Sequence, residues 1–164
     1  MGIDAAILPQ GRREPPDELR ATVRTLLKQK SGEIWTIAPE ACVYDAIKLM
    51  AEKRIGSVLV MDAGRLVGIL SERDYARKVV LQDKSSKTTA VREIMTAPVV
   101  SVSMDNTVGE CMRIITEKRI RHLPVLEEGA VAGIVSIGDL VNWVINEQQQ
   151  TIRHLEAYIT GVAA

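Results

Sequence analysis

The sequence predicts an α/β (α+β) fold: two copies of one β-α-β-β-α unit in a pseudo-two-fold arrangement, with flanking N- and C-terminal helices. Three observations carry this expectation. The chain repeats itself without a gap, each copy holds two apolar runs around a glycine turn, and apolar residues recur at helical spacing between and after those runs. Sliding the chain by 65 residues lays 34–80 on 99–145. Glu52-Lys53-Arg54-Ile55 falls on Glu117-Lys118-Arg119-Ile120, Gly64 on Gly129, Gly68-Ile69-Leu70-Ser71 on Gly133-Ile134-Val135-Ser136, and Asp74 on Asp139. Substitutions between these anchors keep apolar character, as in Val58/Leu123, Met61/Leu126 and Leu66/Val131. With a short gap the repeat reaches upstream, where Thr22-Val23-Arg24 resembles Ala90-Val91-Arg92.

Each element follows from its own pattern. A short extended piece leads in, Trp35-Thr36-Ile37 in one copy and Val100-Ser101-Val102 in the other. The helix after it sets Val43, Ala46, Ile47 and Met50 on one face, and in copy two it opens on Thr107-Val108-Gly109-Glu110, a capping-box spacing. Ser57–Met61 and Leu66–Leu70 flank the Gly64 turn and read as strands covered on both faces. Ser71 then opens a second helix. Residues 1–16, rich in Gly, Pro and Arg, are expected to be a loose tail. A lead-in helix is expected from about Asp17 to Lys30, grouped with copy one and its linker over 17–90. Copy two is expected over 91–155, its last helix running on from Asn142 to Ile159 with Gln-rich, less apolar character, and the domain division sets a C-terminal tail over 156–164.

Composition narrows the function. Hydrophobic residues make up 46% of the chain, enough for a packed core, yet Phe is absent and aromatics are 3%, so that core is aliphatic and stacking platforms for single-stranded nucleic acid are scarce. The 21 basic and 21 acidic residues cancel, whereas a nucleic-acid-binding domain draws affinity from a basic excess. No nucleic-acid partner is expected. No apolar run approaches the length of a membrane span, and the N-terminus lacks the pattern of a signal peptide, so the expected location is the cytoplasm, with no membrane partner. Cys42 and Cys111 fall in apolar helical patterns and read as buried, reduced thiols without a metal. Two histidines, with no H-E-x-x-H, G-x-S-x-G, P-loop or G-x-G-x-x-G, offer an enzyme little; the reading is of a protein that is not an enzyme.

Gly68-Ile69-Leu70-Ser71-Glu72-Arg73-Asp74 and Gly133-Ile134-Val135-Ser136-Ile137-Gly138-Asp139 repeat one pattern, and Arg121-His122-Leu123-Pro124-Val125 precedes the second. With these motifs the chain resembles a tandem CBS-domain protein, a Bateman module of the free-standing bacterial signal-transduction type, over about residues 22–155. The resemblance implies two clefts between the copies that hold AMP, ADP, ATP, NAD(H) or S-adenosylmethionine, no catalytic cofactor, and a homodimer that regulates some further protein. Two other readings stand beside it: a dimeric interaction scaffold with vestigial clefts, and an enzyme of unrecognised type.

The residues suit such a ligand. A carboxylate accepts hydrogen bonds from both hydroxyls of a ribose, and Asp74 and Asp139 lie one turn into a helix. Ser71 and Ser136 open the same helices, where hydroxyl and backbone N–H groups suit phosphate or ribose oxygen. Ser-x-x-Asp is equally a helix cap that needs no ligand. Gly68 and Gly133 let a ligand or the facing copy approach the backbone. An adenine needs an apolar slot, for which Thr36, Ile37, Ile55, Val58, Ser101, Val102, Ile120 and Leu123 are candidates. Phosphate needs cations: Arg73 and Arg77 beside the first Asp, and Arg119, Arg121 and His122 before Pro124. Lys53 and Arg54 read as solvated surface. Arg121 and His122 replace Gly56 and Ser57 of the first copy, which makes the two clefts chemically unequal.

Overall fold

The two glycine turns set the geometry of each copy. At Ala63-Gly64 and Glu128-Gly129 both residues take positive φ, 46° and 78° in one turn and 51° and 82° in the other. Such a pair gives a two-residue hairpin loop whose twist matches that of the strands it joins. The computed structural model describes residues 16–30 and 32–160. In it the hairpins are β2 (Ser57–Asp62) with β3 (Arg65–Ser71), and β5 (His122–Glu127) with β6 (Ala130–Ser136). Each middle strand also pairs in parallel with a short lead-in strand, β1 (Thr36–Ile37) or β4 (Val102–Ser103), to make two three-stranded sheets. Ile37 pairs with Val60 and Val102 with Val125, so the register obeys the 65-residue offset.

Helices α3 (Val43–Lys53) and α6 (Val108–Lys118) cover the sheets, each joining a lead-in strand to a hairpin. The capping box expected on α6 is formed: Glu110 N donates to Thr107 Oγ1 (3.2 Å) and Thr107 N to Glu110 Oε2 (2.8 Å). Both helices stop on an arginine in the left-handed region, Arg54 and Arg119, each with φ 54°. After the hairpins come α4 (Glu72–Lys78) and α7 (Ile137–Thr160). The cores are aliphatic: Val43, Met50, Val58 and Leu70 in copy one, and Val108, Ile115, Leu123 and Leu140 in copy two.

Two short helices cross between the copies. In α2 (Val23–Gln29), Val23 and Leu26 are buried in the core of copy two; in α5 (Val91–Ile94), Val91 and Ile94 are buried in that of copy one. Backbone bonds fix the exchange. Val108 N donates to Ala21 O and Val23 N to Asn106 O, while Val43 N donates to Thr89 O and Val91 N to Ala41 O. The glycines before the hairpin ends receive the visitors: a Cβ on Gly133 would lie 2.8 Å from Leu27 Cδ1, and one on Gly68 would collide with Met95 Sδ. The close approach expected at these glycines is thus made by the facing lead-in segment.

Several sequence expectations are corrected. The lead-in helix is broken into α1 (Asp17–Arg20) and α2, because Ala21 and Thr22 must be extended to bond the start of α6 and because Thr22 caps α2. Grouping the lead-in helix with copy one fails on packing, since α2 fills copy two. α7 runs to Thr160, in keeping with the helix expected as far as Ile159, so the tail set at 156–164 begins inside it. The expected N-terminal tail lies, apart from Pro16, outside the described residues. Cys42 is half-buried at the start of α3, its thiol donating to Asp45 Oδ2 (3.1 Å), whereas Cys111 is buried as expected and burial pushes its thiol up to about 11.

Candidate functional site: two clefts related by the repeat

Both second hairpin strands run straight into a helix, and there the Ser-x-x-Asp spacing closes a reciprocal cap. Asp74 N donates to Ser71 Oγ (3.2 Å), while Ser71 N and Oγ donate to Asp74 Oδ2 (3.0 and 2.7 Å). Asp139 N donates to Ser136 Oγ (3.2 Å), while Ser136 N and Oγ donate to Asp139 Oδ2 (2.7 and 2.9 Å). Capping is therefore real in both copies. The remaining partners differ. Asp74 Oδ1 accepts from Lys78 Nζ (2.9 Å) and Thr96 Oγ1 (3.1 Å). Asp139 Oδ2 accepts a third bond, from Lys30 Nζ (2.7 Å), which also reaches Ile134 O (2.8 Å). Burial alone pushes both carboxyls up, but the ammonium and the serine bonds outweigh it and hold each below its ordinary value.

Each aspartate faces a cleft built from both copies. Cleft one, of about 290 Å³, is lined by Ser71, Arg73, Asp74 and Arg77 of copy one, and by Arg119, Ile120, Arg121 and His122 at the junction of α6 and β5. Cleft two, of about 300 Å³, is lined by Ser136 and Asp139 of copy two, and by Arg54, Ile55, Gly56 and Ser57 at the junction of α3 and β2. These volumes sit near the lower end of small-ligand sites, roughly 300–1,000 Å³. Gly56 and His122 border both clefts, and a Cβ on Gly56 would lie 3.5 Å from the His122 ring. Arg73 Nη1 donates to Arg119 O (2.9 Å), which draws α4 to the end of α6 across cleft one.

The structure brings most of the anticipated residues together and leaves some out. Val58, Val102, Leu123 and Pro124 are buried, and with Thr36, Ile37 and Ser101 they line neither cleft. Side chains alternate faces along a strand: Ser57 and His122 turn to the clefts, so Val58 and Leu123 turn to the core. β1 and β4 are edge strands on the far side of the middle strand from β3 and β6. The residues just before them, Ile34, Trp35 and Val100, reach the clefts instead. His122 was expected as a cation. Burial, opposed by Asp139 and reinforced by Lys30, Arg121 and Arg73, pushes its pKa down, which favours the uncharged ring.

Sequence reasoning missed Thr96 in cleft one, and Lys30, Trp35 and Arg54 in cleft two. Arg54 is the 65-residue counterpart of Arg119, so the repeat itself held that signal. Trp35 carries the Lys53 ammonium 4.0 Å above its ring, a contact that gives Lys53 a role beyond solvation.

This doubled fold has known relatives, and the chain belongs to the CBS-domain family: residues 31–81 and 91–146 match the CBS domain. It is similar to the CBS domain-containing protein CBSX3, mitochondrial, of Arabidopsis thaliana, 37% identical over 150 residues that cover 85% of this chain and 72% of that one. Among solved structures it is similar to the CBS-domain protein from Burkholderia ambifaria MC40-6, with 54% identity and a TM-score of 0.76 over 78% of this chain and 96% of that one. It is also similar to the CBS domain pair of protein MJ0100 in complex with 5′-methylthioadenosine and S-adenosyl-L-methionine, with 25% identity and a TM-score of 0.69 over 77% of this chain and 98% of that one. Among the described residues no helix is long and apolar enough to cross a membrane.

Proposed function

We propose that the protein is a regulatory module that binds adenosine-containing ligands, AMP, ADP, ATP or NAD(H), in the clefts between its two copies. The observation that carries this reading is the pair of equivalent clefts, each bordered by a Ser-x-x-Asp helix start and by the arginine that ends the facing copy's helix. Adenosine compounds occupy the related domain pair of protein MJ0100, which supports the ligand class. S-adenosylmethionine belongs on the same panel. A regulator of this kind works only if its ligand favours one state of the protein over another.

A ligand at about 100 times its Kd stabilises the folded state by roughly 2.7 kcal/mol. For a domain of this size that raises Tm by about 2–4 °C per kcal/mol. Thermal melts with AMP, ADP, ATP, NAD, NADH and S-adenosylmethionine test the reading. A shift of several degrees with at least one is expected, and flat melts with all of them at millimolar concentration would leave the interaction scaffold as the better account. The working unit we infer is a homodimer, since Ile137, Val141 and Ile145 expose apolar surface at helical spacing along α7 and closed two-fold pairing is the commonest assembly. Light scattering should give the mass of two chains, and a single-chain mass at tens of micromolar would count against it.

A further inference from the structure

We propose that the two clefts sort ligands by charge: cleft one takes an adenosine polyphosphate, and cleft two takes an uncharged nucleoside. This deepens the proposed function and rests on it. Cleft one places Arg73, Arg77, Arg119 and Arg121 against two carboxylates, Glu72 and Asp74, of which Asp74 is ion-paired to Lys78 outside the lining. Among the described residues none of those four arginines is in an ion pair. Unpaired guanidiniums from two copies converging on one concave surface make a site for a multiply charged anion, which they grip with paired N–H donors. Arg73 is already held in place through its bond to Arg119 O, so part of the ordering cost is met before a ligand arrives.

Cleft two has no such excess. Lys30 and Arg54 face Glu33 and Asp139, and Lys30 is bonded to Asp139. A polyphosphate entering there meets two carboxylates and no cation excess in the lining, the Lys53 ammonium lying outside it over the Trp35 ring. An uncharged nucleoside meets Trp35 and Ile55 as apolar walls, and Asp139 Oδ1, which holds no hydrogen bond within the described residues, as an acceptor for a ribose hydroxyl. His122 borders both clefts, so whatever charge it carries is shared and does not set one apart from the other.

Calorimetry with ATP and with adenosine on the full chain is the test. ATP should bind once per chain, and adenosine should still bind the ATP-saturated chain. In the double variant Arg77→Ala/Arg121→Ala, ATP affinity should fall at least ten-fold while the adenosine event is unchanged. Rising salt should weaken ATP and spare adenosine. Arg77 and Arg121 are exposed, so the fold is not at stake, and Arg77→Lys/Arg121→Lys should keep most of the ATP affinity because it keeps the charge. ATP filling both clefts, an unchanged ATP affinity in the alanine double variant, or no adenosine binding to the ATP-loaded chain would overturn the sorting and leave the sensor reading standing. Failure of both ligands to bind at all would overturn the two together.

Discussion

At Asp74 and Asp139 a single side chain is asked to hold both a helix and a ligand, and the two roles separate by measurement. Each carboxylate receives its own serine's N–H and hydroxyl, so Asp→Ala opens a cap worth about 0.5–2 kcal/mol. The apo Tm should fall in both variants. If the aspartates also grip a ribose, nucleotide affinity should fall roughly ten-fold or more in each, as for the loss of a charged hydrogen bond of about 1.5–3 kcal/mol. Unchanged affinity beside a lowered Tm would leave them as caps alone. Their pKa direction adds a second readout. Both folded carboxyls sit below the unfolded value of about 3.9. Their stabilisation is therefore complete above that value and is lost as pH falls through the folded pKa. Each Asp→Ala variant should lose part of the acid-induced drop in Tm below about pH 4, which thermal melts at graded pH would record.

At the scale of elements, the sequence revealed what repeats and concealed what does not. Apolar runs around Gly64 and Gly129 marked both hairpins, and the 65-residue offset placed Ser71, Asp74, Ser136 and Asp139 at matching helix starts. The offset breaks only between the lead-in helices and the lead-in strands. There Leu27 matches Met95 by its packing against Gly133 and Gly68, yet three more residues follow in copy one than in copy two before the ungapped match resumes. Those extra residues let the Lys30 ammonium reach Asp139, where the shorter segment of copy two sets the Thr96 hydroxyl on Asp74. Neither contact was legible, because no repeat partner pointed to it and Lys30 stood only as the last residue of the expected lead-in helix. The break after Arg20 was hidden for a related reason: Asp17–Gln29 holds no Gly or Pro to mark it, and the tertiary bonds of Ala21 and Thr22 are what set it. The inequality of the clefts, by contrast, was visible in Arg121 and His122 standing where copy one has Gly56 and Ser57, though that His122 borders both clefts was not, since only the packed strands show it.

At the scale of the whole molecule, the exchanged lead-in helices predict that the two copies unfold as one cooperative body. Neither core is complete without a segment that arrives from the other side of the sequence: Val23 and Leu26 close copy two, and Val91 and Ile94 close copy one. Truncating Leu26, 4% exposed, removes a buried side chain whose loss costs about 2–5 kcal/mol. Grouped by sequence, α2 would belong to copy one, and Leu26→Ala would loosen β2, β3 and α3. Placed by packing, it belongs to copy two, and the damage falls first on β5, β6 and α6. Native-state hydrogen exchange separates these outcomes, because local opening follows the loss of buried contacts. Leu26→Ala should lower amide protection across His122–Ser136 and Val108–Lys118 before it touches Ser57–Ser71, and thermal unfolding should remain a single transition at a lower Tm. Protection lost first in copy one, or two resolved transitions, would mean that the copies fold independently and that the exchange of helices does not join them.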